Sequence, residues 1–274
     1  MLMRALRLGT LIFTAVTAVL FAVIFITTTV TKDRTIPTIS LPDEVLEVSV
    51  SATEEDLLKG VSAYDKKDGD ITKRLLVESI SRFSETGYCR ITYAAFDYDN
   101  HVVTASRPLH YTDYTPPKFK LNRSPVFSIY NEVDTNGLVG ATDCLDGNIS
   151  QNVIIYSPDF QEETEGNFSI QATVSNSKGD SSEITLPMIV EKIPRNAPTV
   201  YLRTYLVYLK KGSDTPDWNK YITETLDATG VEAVFPVSVK TNINMNKAGV
   251  YTVNYYGTDA TGMTGHTVLV VVVE

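Results

Sequence analysis

Three stretches of this chain spell one strand: Gly87-Tyr88-Cys89-Arg90-Ile91-Thr92-Tyr93, Gly166-Asn167-Phe168-Ser169-Ile170-Gln171-Ala172 and Gly249-Val250-Tyr251-Thr252-Val253-Asn254-Tyr255. Each starts at a glycine and then alternates, the period of a strand with one buried face. Upstream of each, a proline opens a shorter alternating run, at Pro37, Pro117 and Pro198. A constant spacing of this kind predicts copies of one structural unit.

Downstream, each strand runs into Asp97-Tyr98-Asp99-Asn100, Asn176-Ser177-Lys178-Gly179 or Asp259-Ala260-Thr261-Gly262. These residues tolerate left-handed backbone, so a hairpin is expected, with return strands over 102–113, 181–190 and 266–273. Pro108 and Pro187 fall at matching places in the first two returns, which suits an edge or a bulge. Copies one and two also share an acidic Asp-Gly turn, within 63–72 and 141–150; copy three keeps only Asp227-Ala228-Thr229-Gly230. Nothing in 32–274 reads as a long amphipathic helix, and 54–59 supports about one turn. The expected fold is all-β: three tandem immunoglobulin-like β-sandwiches at 32–115, 116–195 and 196–274, preceded by one transmembrane helix within 1–31.

Pro37 to Leu41 (P-x-I-x-L), Asp65 to Thr72 (D-x-x-D-G-D-I-T), the strand from Gly87 through Asn100, and Thr112 to Pro117 (T-D-Y-T-P-P) together resemble bacterial immunoglobulin-like surface domains of the HYR-like kind. The resemblance covers 36–274. It implies seven-stranded Greek-key sandwiches that serve as spacers, adhesion modules or appendages to enzymes, and it implies no chemistry.

Residues 8–30 carry no charge, and a helix of that length spans about 34 Å, enough to cross a bilayer once. Val16-Thr17-Ala18 offers a weak cleavage site. Cutting there would leave an apolar new N-terminus at 19–26, so an uncleaved signal-anchor is expected. Arg4 and Arg7 on one side, against Lys32, Asp33 and Arg34 on the other, favour a cytoplasmic N-terminus. Residues 32–274 then lie outside the plasma membrane.

From residue 32 onward there are 22 basic and 33 acidic residues, which excludes a phosphate-binding face and with it a nucleic-acid partner. No nucleophile elbow, phosphate loop or Cys–His pairing appears, and no enzyme is expected. Asp65, Asp68 and Asp70, joined by Asp97 and Asp99 from the hairpin turn, are candidate calcium ligands. The other reading has them capping backbone amides. Asp113, Asp143 and Asp146 form a second candidate set at the first junction, and no other cofactor is required.

Tyr201, Tyr205, Tyr208, Trp218 and Tyr221 crowd the start of copy three as a candidate surface for sugar or protein, unless half of them point into the core. Cys89 should be buried, Cys144 exposed, and the two unbridged. His101, His110 and His266 are read as surface residues. The apolar run 268–273 is a candidate for pairing with a partner's strand. These readings combine into an anchored stalk reaching about 100 Å if the sandwiches lie end to end, binding a cell-surface protein or, alternatively, a cell-wall polysaccharide through copy three.

Overall fold

The computed structural model describes residues 2–30 and 35–274. The orientation residues Lys32, Asp33 and Arg34, the Arg4 side chain and the boundary at 31/32 lie outside the described residues. Helix α1 (Leu2–Val30) is continuous, and its apolar side chains from Leu8 to Ile26 are exposed. Its threonines bond back to their own helix, Thr14 to the Thr10 carbonyl at 2.6 Å, Thr17 to that of Phe13 at 3.0 Å and Thr27 to that of Val23 at 2.9 Å. Hydroxyls satisfied in this way need no water, as a lipid environment demands.

The rest is β. Copy one contains β1 (Thr38–Ser40), β2 (Leu46–Val48), β3 (Ser62–Asp65), β4 (Gly69–Asp70), β5 (Leu75–Ile80), β6 (Tyr88–Phe96) and β7 (Val102–Tyr111). Copy two contains β8 (Lys118–Leu121), β9 (Val126–Ser128), β10 (Val139–Asp143), β11 (Gly147–Asn148), β12 (Ile154–Tyr156), β13 (Gly166–Ser175) and β14 (Ser181–Glu191). Copy three contains β15 (Thr199–Leu202), β16 (Leu206–Leu209), β17 (Ile222–Leu226), β18 (Val237–Thr241), β19 (Gly249–Thr258) and β20 (Thr264–Val273). The sheet orders repeat: β1-β3-β4 with β2-β7-β6-β5, β8-β10-β11 with β9-β14-β13-β12, and β15-β17 with β16-β20-β19-β18.

The repeated signals act as expected. Pro37, Pro117 and Pro198 are buried at the start of each copy. The three hairpins form, and Asn100, Gly179 and Gly262 occupy the same left-handed position with φ of 67°, 82° and 82°. The second strand of each copy, β2, β9 or β16, lies in the other sheet and pairs in parallel with the last. Pro108 and Pro187 sit just before that pairing begins, where β7 and β14 are bonded on one side only. At the matching place in copy three, Val270 keeps its N–H and donates it to the Tyr205 carbonyl at 2.9 Å. In copy three the short strand equivalent to β4 and β11 is reduced to a single bridge, Leu226 to Glu232, and the turn glycine, Gly230, stands one residue earlier than Gly69 and Gly147 do.

Helix α2 (Glu54–Leu58) is the short turn expected, closed by a capping box between Thr53 and Asp56. Tyr93 and Tyr255 hold the same place in β6 and β19. Each donates its hydroxyl to a short helical turn, to the Leu57 carbonyl at 2.9 Å and the Trp218 carbonyl at 2.8 Å. Buried Arg107 adds a bond to the Tyr93 hydroxyl and one to the Lys59 carbonyl.

The chain forms two compact units, one reaching Ser81 and including Tyr88–Thr112, the other comprising Arg82–Gly87 and Asp113–Glu274. In the second unit, copies two and three lie side by side. Lys118, at the start of copy two, meets Glu274 at 3.1 Å, while Glu191, at the end of β14, meets His266 near the start of β20. The two strands therefore run past each other in opposite directions, and an end-to-end arrangement does not hold for this pair. The segment between them is a turn, with Ala197 N–H donating to the Pro194 carbonyl at 3.0 Å.

The cause is the run 268–273, which does not alternate. Leu269, Val271 and Val273 fill the core of sandwich three; Val268 and Val270, with Leu206, Tyr208 and Val272 beside them, complete the core of sandwich two. A strand apolar on both faces needs two partners. Consequently this run is an inner strand, flanked by β16 and β19, and offers no edge for a partner's strand to add to.

Candidate functional site

The acidic turns are built from the backbone outward. Asp65 Oδ1 accepts from the N–H groups of Lys67 at 2.7 Å and Asp68 at 3.0 Å, and Asp143 Oδ1 does the same with Leu145 at 2.9 Å and Asp146 at 3.0 Å. A second carboxylate then ties this turn to the hairpin turn: Asp68 accepts from Tyr98 N–H at 2.8 Å, and Asp146 from Ser177 N–H at 2.6 Å. Copy three reverses the tie, with Asp259 accepting from Ala228 N–H at 3.1 Å.

The hairpin position is occupied by Asp97, Asn176 and Asp259, all buried. Asp97 accepts from both the backbone N–H and the ring Nδ1 of His101, at 2.7 and 2.6 Å. Asn176 donates to Asp143 Oδ2 at 3.1 Å and to the Tyr114 hydroxyl at 2.8 Å. That hydroxyl in turn donates to Asp180 at 2.8 Å, and burial together with the Asp180 carboxylate pushes the Tyr114 phenol far above its ordinary range.

Of the five calcium candidates, Asp65 and Asp97 are buried in these turn bonds, Asp68 holds Tyr98, Asp70 accepts from Thr72 N–H at 2.9 Å, and Asp99 is paired with Lys67. Among the described residues no three His, Cys, Asp or Glu side chains converge as metal ligands. Asp143 and Asp146 of the junction set are likewise engaged, with Asn176 and Ser177. These carboxylates act as caps for turn amides, and donors hold Asp70 and Asp259 below the usual carboxylate range, chiefly through Thr72 and Thr261.

The aromatic surface of copy three is not assembled. Trp218 is 8% exposed in the core of sandwich three, Tyr221 packs beside it, Tyr205 sits against both cores, and Tyr208 against that of sandwich two. Only Tyr201 of the five is exposed, at 40%. Tyr205 and Tyr208 stand at and on β16 and pack toward the shared face, whereas Trp218 and Tyr221 come from a short helical turn that closes sandwich three. His266 also departs from its surface reading, with a side chain 4% exposed. Cys89 is buried and Cys144 exposed, as expected.

What sequence reasoning missed is the face joining sandwiches two and three. Phe119 N–H donates to the Tyr208 hydroxyl at 3.2 Å, Val268 N–H to Ser124 Oγ at 2.9 Å, and His266 bridges Glu191 and Asn254 at 3.1 Å each. The unbroken apolar run 268–273 was the available signal. A cleft of about 440 Å³ remains along this face, lined by Pro116, Lys118, Ile184, Tyr208, Val272 and Glu274 among others.

No family model matches the chain. An uncharacterized 81.3 kDa protein of Acholeplasma phage L2 is 27% identical over 139 residues, which cover 49% of this chain and 18% of that protein. The chain thus spans less than a fifth of the curated relative it matches. Among solved structures, Drosophila N-cadherin EC1-3 is 12% identical, with 89% of this chain and 90% of that one covered at a TM-score of 0.33. The M60 catalytic domain with the CBM51-1 and CBM51-2 domains of Clostridium perfringens ZmpB is 15% identical, with 88% of this chain and 31% of that one covered at a TM-score of 0.24. Scores this low say nothing of activity.

Proposed function

We propose that this chain is a single-pass, N-terminally anchored protein that holds its sandwiches on the extracytoplasmic side, where they bind another protein without catalysis. The observation that carries the reading is the helical span Arg7–Thr27, with a mean hydropathy of 2.5 and no buried residues, set before an acidic, mainly β remainder. A stretch this apolar has no partner among the described sandwiches and is suited to lipid. Protein is favoured over polysaccharide because the only tryptophan and most of the clustered tyrosines are committed to packing. Flat sandwich faces and free sheet edges such as β12, with Ile154 and Tyr156 exposed, suit a protein surface.

The test is carried out on the full chain expressed in cells. Alkaline extraction should leave it in the membrane fraction with residues 8–30 detectable by mass spectrometry, and external protease should digest 35–274. Release into the soluble fraction, or protection of the sandwiches in intact cells, would overturn the reading. Crosslinking on the same cells should capture a protein; capture of glycan alone would restore the polysaccharide alternative.

A further inference from the structure

Each sandwich ends its four-stranded sheet on an equivalent strand, β5, β12 or β18, with no strand on its far side. The backbone groups that such an edge turns outward are a template for another strand, and charges or bulges are the usual guards. β5 carries Glu78 at a break in register between Val77 and Ser79, and β18 carries Lys240. β12 has neither guard. It is Ile154-Ile155-Tyr156, in regular register with Thr173, Ala172 and Gln171 of β13, inside a stretch from Gly147 to Pro158 that holds no charged residue. Ile154 and Tyr156 are 70% and 63% exposed, whereas Ile155 turns inward against the core of sandwich two.

We propose that β12 is a self-association edge, which pairs antiparallel with the same strand of a second copy of this chain about a two-fold axis at Ile155. In that register Ile154 stands opposite Tyr156 of the partner subunit, and Tyr156 opposite Ile154 of the partner subunit, two aromatic-on-β-branched pairs on the outer face. Ile155 meets its own counterpart on the inner face, where both sandwich cores continue. A slip of one residue would turn the exposed pair onto the core side, so the register is specified. The occupant is a second copy because the strand is its own complement, apolar when read in either direction. Two chains this acidic can also meet here without opposing like charges, since Asp159 falls opposite Gln151. Three residues make an interface below the about 1,200 Å² of stable complexes. Pairing therefore depends on a raised local concentration, which α1 supplies when two copies share a membrane; this clause rests on the anchored reading proposed above.

The test uses the full chain in cells, with Cys144→Ser removing the exposed thiol. Ile154→Cys and Tyr156→Cys chains, carrying different tags, are expressed singly or together and oxidised with copper phenanthroline; both positions are exposed, so the core stays intact. Directly opposite residues lie about 4.5–5.5 Å apart and diagonal ones about 7–8 Å, at or beyond the reach of a disulfide. The mixed pair should thus give a disulfide-linked dimer in a yield at least about tenfold above either variant alone. Equal yields in all three combinations, no dimer in any, or capture of a different protein at these thiols in place of the dimer would overturn the proposal. Alkaline extraction of the same cells separates the two readings. A membrane-retained chain without the mixed dimer defeats the pairing alone, and a mixed dimer from an extracted chain defeats the anchor alone.

Discussion

Lys118 Nζ lies 3.1 Å from Glu274 Oε1, so the first strand of sandwich two touches the residue that follows the last strand of sandwich three. The pair is exposed and contributes little by itself. Its value is geometric, because two residues 156 apart can meet only if sandwich three returns alongside sandwich two. These two copies together therefore span less length than an end-to-end pair would.

The shared face makes sandwiches two and three one cooperative body. Val270→Asp, which buries a charge on the side facing sandwich two, should cost about 4 kcal/mol or more. Unfolding followed by limited proteolysis should then show cleavage sites opening in both sandwiches; loss of sandwich three alone would contradict the shared core.

Trp218→Ala should destabilise by about 3–5 kcal/mol, through the cavity it leaves among Val200, Leu202 and Tyr255. Near-ultraviolet circular dichroism and the denaturant midpoint measure this directly. A variant as stable as the wild type would place the indole outside the core.

In sandwich one, Tyr93→Phe removes the hydroxyl that bonds Leu57 and receives Arg107 Nε. A buried guanidinium deprived of one acceptor should cost about 1–3 kcal/mol. Exchange of amides in the α2 turn should rise with it, whereas an unaltered α2 would show that the tyrosine merely fills space.

Asp70 and Asp259 are held below the ordinary carboxylate range by turn donors. A depressed folded value contributes stability above the unfolded value of about 3.9, and that contribution is lost as pH falls through the folded one. Acid unfolding should therefore begin at the turn ends below about pH 4, with Asp259→Asn blunting it near Ala228; exchange measured at pH 3 and 5 reads the difference.

The hairpins, the buried prolines and the short α2 turn were legible because each rests on local chemistry: period-two alternation, left-handed turn residues, a capping box. The departure of copy three at Asp227–Gly230 was legible as well, in its different acidic turn. The acidic turns were visible, but their use was not, since Asp68 and Tyr98 are 30 residues apart and only the fold brings them together. For the same reason the aromatics misled. Tyr205 and Tyr208 look like surface residues until β16 is seen to stand between two cores, and Trp218 until its turn is seen to close sandwich three.

The two-sided strand β20 also fixes an order of events. A chain emerging from the ribosome or a translocation channel folds its early domains first when each holds its own core. Sandwich two does not, for Val268 and Val270 belong to it as much as Leu121 or Ile170. Its open side stays wet until the residues through Val273 have emerged, so sandwiches two and three complete their folding together, as a single act.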